Sequence, residues 1–171
     1  VLLHNERRTE LSEGQKELWM LQTLYPDMAG FNLPLGYRIS EGFKVDQFRG
    51  ACEFTMEQFP ILSTAFDEDN GVPFAFINKQ HEIVFEVEDV CGLNKEEVLD
   101  LMRSQFKVPF NLKDEPLIRF NIYKVSEDES YILVTVHHIL FDGTSSIIFT
   151  EALLNAYHKL LTNQPVKPEK Q

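Results

Sequence analysis

The chain has 171 residues, of which 43% are hydrophobic and fourteen are phenylalanine, enough for one domain with a substantial core. Its 27 acidic and 16 basic residues give a formal net charge of −11, which disfavours nucleic acid and anionic membrane surfaces as partners. No apolar run approaches the ~20 residues of a membrane-spanning helix, and the first ten residues are too short and too acidic for a signal peptide, so we expect a cytoplasmic protein.

The two cysteines and the ends of the sequence bear on its organisation. Cys52 and Cys91 are far apart and lack the spacing of a zinc site or a disulfide framework, so we predict two reduced thiols. The sequence begins at Val1 rather than at methionine, and residues 163–171 are polar and contain two prolines. We expect a linker in residues 163–171 and further protein sequence on at least one side.

The first predicted helix covers residues 11–25. Ser12 and Gln15 have the spacing of a capping box, and Pro26 is a stop signal. Three residues would share its inner face: Leu18, Leu21 and Tyr25.

The middle of the chain alternates strand and helix patterns. From residue 33 to residue 106, apolar periodicity predicts in turn a strand, a helix, a hairpin, a strand and a helix capped by Asn94. Their ranges are 33–40, 45–59, 61–66 with 72–77 around the turn 67–71, 81–89, and 94–106.

The last third predicts an antiparallel hairpin followed by a helix. Residues 117–125 and 131–138 have strand patterns and flank a charged five-residue loop, and residues 145–161 form an amphipathic pattern. The order of helices and strands indicates an α/β or α+β domain, a mixed or antiparallel sheet with helices packed on it.

Two adjacent histidines end the second hairpin strand, in the stretch VTVHHILFDGTSS, residues 134–146. Since neighbouring side chains of a strand point to opposite faces, His138 would end an apolar face and His137 a mixed one. A loop centred near Asp128 would place Arg119 beside His137. The opposed directions disfavour a metal site, whose imidazoles must converge at roughly 2 Å from one ion. A core histidine with satisfied nitrogens and a catalytic base at a strand end remain.

Asp142 and Gly143 follow in the predicted loop before the last helix. A carboxylate there could orient an imidazole or anchor the loop, and a glycine lets backbone approach a ligand closely. The alternative is an ordinary Asp-Gly turn in which Thr144 or Ser145 caps the helix. The residues alone leave both interpretations open.

Four stretches, in order, give the chain a family resemblance. HHILFDG, residues 137–143, resembles the H-H-x-x-x-D-G signature of the condensation domains of nonribosomal peptide synthetases, relatives of chloramphenicol acetyltransferase. LSEGQKELWML, ILSTAF and FNLKDEPLIR resemble the family's S-x-x-Q-x-x-L-W, L-R-T-x-F and F-D-L-x-x-x-P-L-x-R segments. The four stretches span nearly the whole chain.

The resemblance implies a function and roles for site residues. A chloramphenicol-acetyltransferase-like α/β lobe is expected, with His138 as the active-site histidine for an acceptor amine that attacks a donor thioester. His137 and Asp142 would shape the site, and Gly143 would lie where the backbone meets the substrates. The substrates would ride on phosphopantetheine arms of donor and acceptor carrier domains, with no metal and no directly bound cofactor.

The chain also departs from the family pattern. Ser63 stands where the family usually has an arginine that pairs with the motif aspartate, and residues 58–60 lack the usual R-H-E. Arg119 is the substitute partner that we predict for Asp142. Since the family's domain is about twice this length, residues 1–171 resemble its N-terminal lobe only, with a C-terminal lobe and an adenylation domain expected beyond it.

The resemblance leaves alternatives open. A coenzyme A-dependent acyltransferase or an epimerisation domain would keep the same histidine motif. A module that only docks carrier domains is an alternative of another class, favoured by the absence of arginine at position 63. Heterocyclisation is disfavoured, because that subgroup has aspartates in place of the histidines. We expect amide formation in the synthesis of an antibiotic or another secondary metabolite, and an isolated lobe without activity.

Overall fold

Helices pack on two β-sheets in the computed structural model, which describes residues 8–78 and 82–166. The elements in chain order are β1 (Thr9–Glu10), α1 (Glu13–Leu24), β2 (Asn32–Ser40), α2 (Val45–Gln58), a 3₁₀ helix (Pro60–Ser63), β3 (Thr64–Asp69), β4 (Val72–Ile77), β5 (Val84–Asp89), α3 (Lys95–Phe106), β6 (Ile118–Lys124), β7 (Glu129–His137) and α4 (Gly143–Leu161). The predicted start of β5 at His81 and the predicted linker beyond Val166 lie outside the described residues.

The larger sheet is mixed and carries the histidine strand at its centre. Its order is β2-β7-β6-β5, in which β5 and β6 are parallel and the other pairs are antiparallel. The smaller sheet has the order β1-β4-β3 and is antiparallel. The predicted fold class, a mixed sheet covered by helices, is confirmed, and the 61–77 hairpin belongs to the second sheet.

The two faces of the larger sheet bury two separate apolar clusters. Ile132, Val134 and Val136 of β7 point into the main core, which α2 and α4 cover. Tyr131 and Leu133 point to the opposite face, where α3 covers them with Val98 and Met102. The alternation expected of a strand is therefore present, but helices bury both faces of β7.

Helix α1 has an unexpected inner face. The capping box of Ser12 and Gln15 is confirmed, with both reciprocal hydrogen bonds present. Leu18 is only half-buried and Tyr25 is 56% exposed, contrary to its predicted place on the inner face. The fully buried residue of the helix is Gln22, at 4% exposure, which the periodicity of apolar residues could not indicate.

The first hairpin is tighter and begins later than predicted. Residues 61–63 form a 3₁₀ turn after Pro60, so β3 begins at Thr64. Pairing then continues to Asp69 and Val72, leaving a two-residue turn. Asn70 and Gly71 both have positive φ, 51° and 80°, as a type I′ turn requires.

The second hairpin keeps the predicted faces but not the predicted register. Phe120 pairs with Val134 and Arg119 with Thr135, two positions from the expected alignment. A shift of two residues leaves every side chain on its predicted face, because the side-chain period of a strand is two. It moves Arg119 from beside His137 to beside Thr135, so that part of the prediction is wrong.

Two further observations concern the predicted class of protein. In the part of the chain that the structure describes, no helix is long and apolar enough to cross a bilayer. Cys52 is a buried thiol of α2 and Cys91 an exposed one, and neither forms a disulfide. Burial raises the pKa of the Cys52 thiol, which keeps it protonated at neutral pH.

Candidate active site around the histidine turn

The two histidines lie at the junction between β7 and a tight turn. The strand ends at His137, and residues 137–140, here called the histidine turn, are closed by a hydrogen bond from the Leu140 N–H to the His137 carbonyl at 3.0 Å. The predicted strand included His138, which instead is the first residue after the strand. Asp142 then begins α4 only two residues beyond the turn.

His137 is a buried histidine with both ring nitrogens engaged. Its side chain is fully buried, packed against the rings of Phe31 and Phe110, with ring centroids 6.1 Å apart in each case. Nδ1 accepts the backbone N–H of Ile139 at 3.1 Å, and Nε2 lies 3.2 Å from Oε1 of Gln22. His137 therefore matches the core-histidine interpretation.

The hydrogen bonds of His137 define its protonation state. Because Nδ1 accepts a hydrogen bond, the ring proton of the neutral form lies on Nε2 and is donated to Gln22. Burial lowers the pKa of His137 from 6.5 to about 4, and the neighbouring His138 contributes in the same direction. His137 is thus neutral at physiological pH.

Stability of the chain is expected to depend on this neutral state. Between pH 6.5 and pH 4 the unfolded chain binds a proton at His137 that the folded chain excludes, so the free energy of unfolding should fall as pH falls through that window. A shift from 6.5 to about 4 corresponds to a total of about 3 kcal/mol, fully regained above pH 6.5. Urea unfolding followed by the fluorescence of Trp19 measures it.

The matched control for this prediction is His137→Asn. Asparagine has no titratable group and its Oδ1 can still accept the Ile139 N–H. Carboxylates that titrate near pH 4 contribute to both proteins, so the difference between the two pH profiles isolates His137. Equal slopes for both proteins between pH 6.5 and pH 5 would contradict the prediction.

His138 has the opposite environment. Its side chain is exposed, and its backbone N–H donates to the Phe31 carbonyl at 2.8 Å. The expectation that His138 ends the apolar face of the strand is wrong, because the strand ends one residue earlier, at His137. What the structure provides is an accessible imidazole on a backbone that hydrogen bonds fix on both sides.

Asp142 is the N-cap of α4. Its Oδ1 accepts the backbone N–H of Ser145 at 2.9 Å, and this bond lowers the pKa of the Asp142 carboxyl. Thr144 and Ser145, the predicted alternatives for the cap, lie inside the helix, and Gly143 is its first residue rather than part of a loop. The carboxylate is solvent-exposed and fixes the first turn of α4, which begins shortly after the histidine turn.

Arg119 is not the partner of Asp142. Its guanidinium donates to Oε1 of Glu115 at 2.8 Å and to the carbonyls of Val108 and Pro109, and it stacks on Phe110 at 3.8 Å from the ring centroid. The predicted ion pair is therefore wrong. Arg119 instead organises the loop before β6, and it reaches His137 only through the shared ring of Phe110.

Replacing Asp142 should test its capping role. Asp142→Ala leaves the Ser145 N–H without its acceptor and is expected to lower the melting temperature by about 2–4 °C. Asp142→Asn keeps an equivalent cap and should melt within about 1 °C of the unsubstituted chain at pH 7. The measurement is thermal unfolding by circular dichroism, and equal losses for both variants would assign the effect to charge rather than to the cap.

Gly143 has no steric reason within the chain to be glycine. Its φ is not positive, and a Cβ added there would meet no atom within 4 Å. The open space beside Gly143 is on the same short segment as the exposed His138.

The 3₁₀ helix that contains Ser63 lies beside this segment. An apolar cavity of about 180 Å³ is lined by residues just before Ser63, among them Ile61 and Leu62, together with Leu140, Phe141 and Ser145. Two of the family stretches, ILSTAF and HHILFDG, are thus neighbours in space. Ile61 and Ile148, which line the cavity, are 46% and 52% exposed, and the adjacent Ile147 is 61% exposed.

Gln22 is the site residue that sequence reasoning did not identify. Besides the bond to His137, its amide nitrogen donates to the carbonyls of Pro26 and Met28. One signal was available: Gln15 and Gln22 are seven positions apart and share a helix face, and Gln15 also donates to the turn, at the Ile139 carbonyl.

Among residues 8–78 and 82–166, no group of three His, Cys, Asp or Glu is placed to hold a metal ion.

Comparison with protein families matches residues 5–171 to the model described as "Condensation domain". Polyketide synthase PksN of Bacillus subtilis is 35% identical over 159 residues, which cover 93% of this chain and 3% of that protein. Bacitracin synthase 3 of Bacillus licheniformis is 34% identical over 147 residues, covering 86% and 2%. The chain therefore spans only a few per cent of the curated relatives that it matches.

Solved structures give the same architecture. The starter condensation domain of the rhizomide synthetase RzmA superposes with a TM-score of 0.87 at 22% identity, over 96% of this chain and 40% of that one. The first condensation domain of the CDA synthetase gives 0.84 at 21% identity, over 94% and 42%. A four-domain nonribosomal peptide synthetase, holo-AB3403, gives 0.81 at 17% identity, over 92% and 12%.

Proposed function

Because the chain belongs to the condensation-domain family, we propose that it is the N-terminal lobe of a domain that joins a carrier-bound acyl or peptidyl thioester to a carrier-bound aminoacyl group in nonribosomal or hybrid polyketide-peptide synthesis. The observation that carries the proposal is the histidine turn. It presents an accessible His138 on a backbone held by buried partners, as a group that acts on an external substrate requires.

The proposed reaction needs one proton transfer and no covalent enzyme intermediate. The acceptor amine attacks the thioester carbonyl, the new C–N bond forms, the C–S bond breaks, and the donor carrier leaves as a thiol. The amine loses a proton overall and the sulfur gains one. In this scheme His138 accepts or orients the amine proton, which is the role of a general base.

The other motif residues have supporting roles in this scheme. His137 is buried and fully hydrogen-bonded, so its role is to shape the turn rather than to exchange protons. Asp142 fixes the start of α4. Gly143 leaves open space beside the backbone, which suits close passage of a thioester arm.

We further propose that a C-terminal lobe covers the site. The chain corresponds to 40–42% of the two condensation-domain structures compared above. The exposed isoleucines beside the histidine turn are an apolar surface of the kind that another protein surface covers. Covering them would also exclude water from the thioester.

The proposed partners are domains of a larger synthetase. Donor and acceptor carrier domains would bring substrates on phosphopantetheine arms, and an adenylation domain would adjoin them, as the match to a four-domain synthetase supports. The free thiols of Cys52 and Cys91 fit a reducing compartment, so we place the protein in the cytoplasm.

A transfer assay tests the function. The full two-lobed domain is mixed with donor and acceptor carriers loaded with substrates, and the amide product is measured by mass spectrometry. Amide on the acceptor carrier supports the proposal. Product only from a free coenzyme A thioester would indicate the related acyltransferase, and carrier binding without product would indicate a docking module.

A further inference from the structure

We propose that Gln22 of α1 is a positioning residue for the condensation reaction: its side chain holds the ring of His137, and through that ring the turn that presents His138. The inference rests on the function proposed above. It goes beyond the four family stretches, because it assigns a role to a residue outside the histidine motif and 115 positions away from His137 in sequence.

The amide of Gln22 is fixed in one orientation. Its nitrogen donates to two carbonyls, Pro26 at 3.1 Å and Met28 at 3.2 Å, and its oxygen lies 3.2 Å from Nε2 of His137. The reversed amide would direct its oxygen at two carbonyl oxygens, which is unfavourable. Gln22 therefore offers His137 an acceptor and nothing else.

An acceptor at this position selects one tautomer of the neutral His137 ring, the one with its proton on Nε2. Nε2 must carry the proton to donate to Gln22, which leaves Nδ1 free to accept the N–H of Ile139 at 3.1 Å. If the proton moved to Nδ1, it would face the Ile139 N–H, and both contacts would be lost. The bond at Gln22 and the bond at Ile139 are thus coupled through one imidazole.

The coupling extends to both backbone anchors of His138. One anchor is the peptide of Ile139, held at its N–H by His137 and at its carbonyl by Gln15. The other is the N–H of His138, which donates to the Phe31 carbonyl. Gln22 binds the carbonyls of Pro26 and Met28, and Phe31 follows these two residues in the chain. A single buried amide therefore acts on both sides of His138.

The main test variant is Gln22→Met in the full two-lobed domain. Methionine keeps the length and volume of the side chain and removes all three hydrogen bonds. The control is Val98→Ala, which opens a cavity in the cluster under α3 around Tyr131 and Leu133, four or more residues before His137 along β7. Gln22→Glu is the conservative variant, since a neutral buried carboxyl group can accept from His137 and donate to one carbonyl.

Three readouts separate positioning from general stability. With Gln22→Met we expect kcat about ten- to a hundredfold lower, KM for either carrier within about twofold, and at least about tenfold faster hydrogen exchange in peptides covering residues 137–141. With Val98→Ala we expect a lower unfolding midpoint but kcat and exchange at the turn unchanged. Gln22→Glu should keep kcat within about threefold.

Failure of the positioning role of Gln22 can be distinguished from failure of the proposed amide-forming function. If the unsubstituted domain makes amide and Gln22→Met keeps its kcat, or loses kcat without faster exchange at residues 137–141, the positioning role is refuted and the function stands. If the unsubstituted domain makes no amide, the function fails. Should Gln22→Met not fold, Gln22→Asn, which retracts the amide by one methylene, is judged by the same criteria.

Discussion

Replacement of His138 by alanine is expected to lower the rate of carrier-to-carrier amide formation by about 10²–10⁴-fold, the usual contribution of a positioned general base. The fold should persist, because the His138 side chain is exposed and the contact that fixes the residue is made by its backbone N–H. Loss of activity would then reflect loss of the imidazole and not loss of the turn.

The matched control is His158→Ala. His158 is an exposed histidine near the other end of the chain's last helix, so its replacement removes the same side chain from the surface. Both variants should melt within about 2 °C of the unsubstituted domain. Near-normal turnover of His138→Ala in the transfer assay would exclude His138 as an essential base, whereas a loss of only a few-fold would leave it a positioning role.

The 171-residue chain on its own is expected to fold and yet to form no measurable amide, at least about 10³-fold below the full domain. The sheets and helices bury their own apolar faces in two clusters, so the lobe has a core. The surface around His138 is open, and an open half-site neither excludes water nor aligns two thioester arms.

The measurement compares three samples under identical carrier concentrations: the chain alone, the chain with a separately expressed C-terminal lobe, and the full domain. Product should appear in the second sample and reach its highest rate in the third. Circular dichroism of the chain alone verifies that it is folded. A rate for the chain alone that matches the full domain would refute the proposal that two lobes form the site.

Local patterns in the sequence predicted the ends of helices well, where a capping residue or a proline has a specific structural role. The capping box at Ser12 and the cap at Asn94 are examples, since their partners lie within three positions along the chain. The end of α2 before Pro60 is another. These features depend on a few consecutive residues and not on the rest of the fold.

Predictions failed where a feature depends on distant parts of the chain. The pattern of β6 and β7 fixes which face each residue occupies, but the turn between them fixes the register, so Arg119 was misplaced by two positions. The burial of His137 and the exposure of His138 depend on where the strand ends, and the Phe31 and Leu117 carbonyls decide that by binding the N–H groups of the two histidines.

Gln22 illustrates the same limit for the candidate site. A buried glutamine looks like a surface residue in an amphipathic pattern, because periodicity counts apolar side chains. Its partners, the ring of His137 and two carbonyls after the helix, come together only in the folded chain. The family resemblance identified the histidine motif but carried no information about this contact.

The long sequence separation of the contacts around His137 also affects how the chain folds. The β6–β7 hairpin is local and can form within microseconds, whereas α1 and β2 must wait for β7, about a hundred positions later in synthesis. At about 5–20 residues per second, they leave the ribosome several seconds before their partner strand exists. The histidine turn is therefore assembled by contacts that close among the last, and a protein that stalls during synthesis would expose the apolar side of β2 before any site has formed.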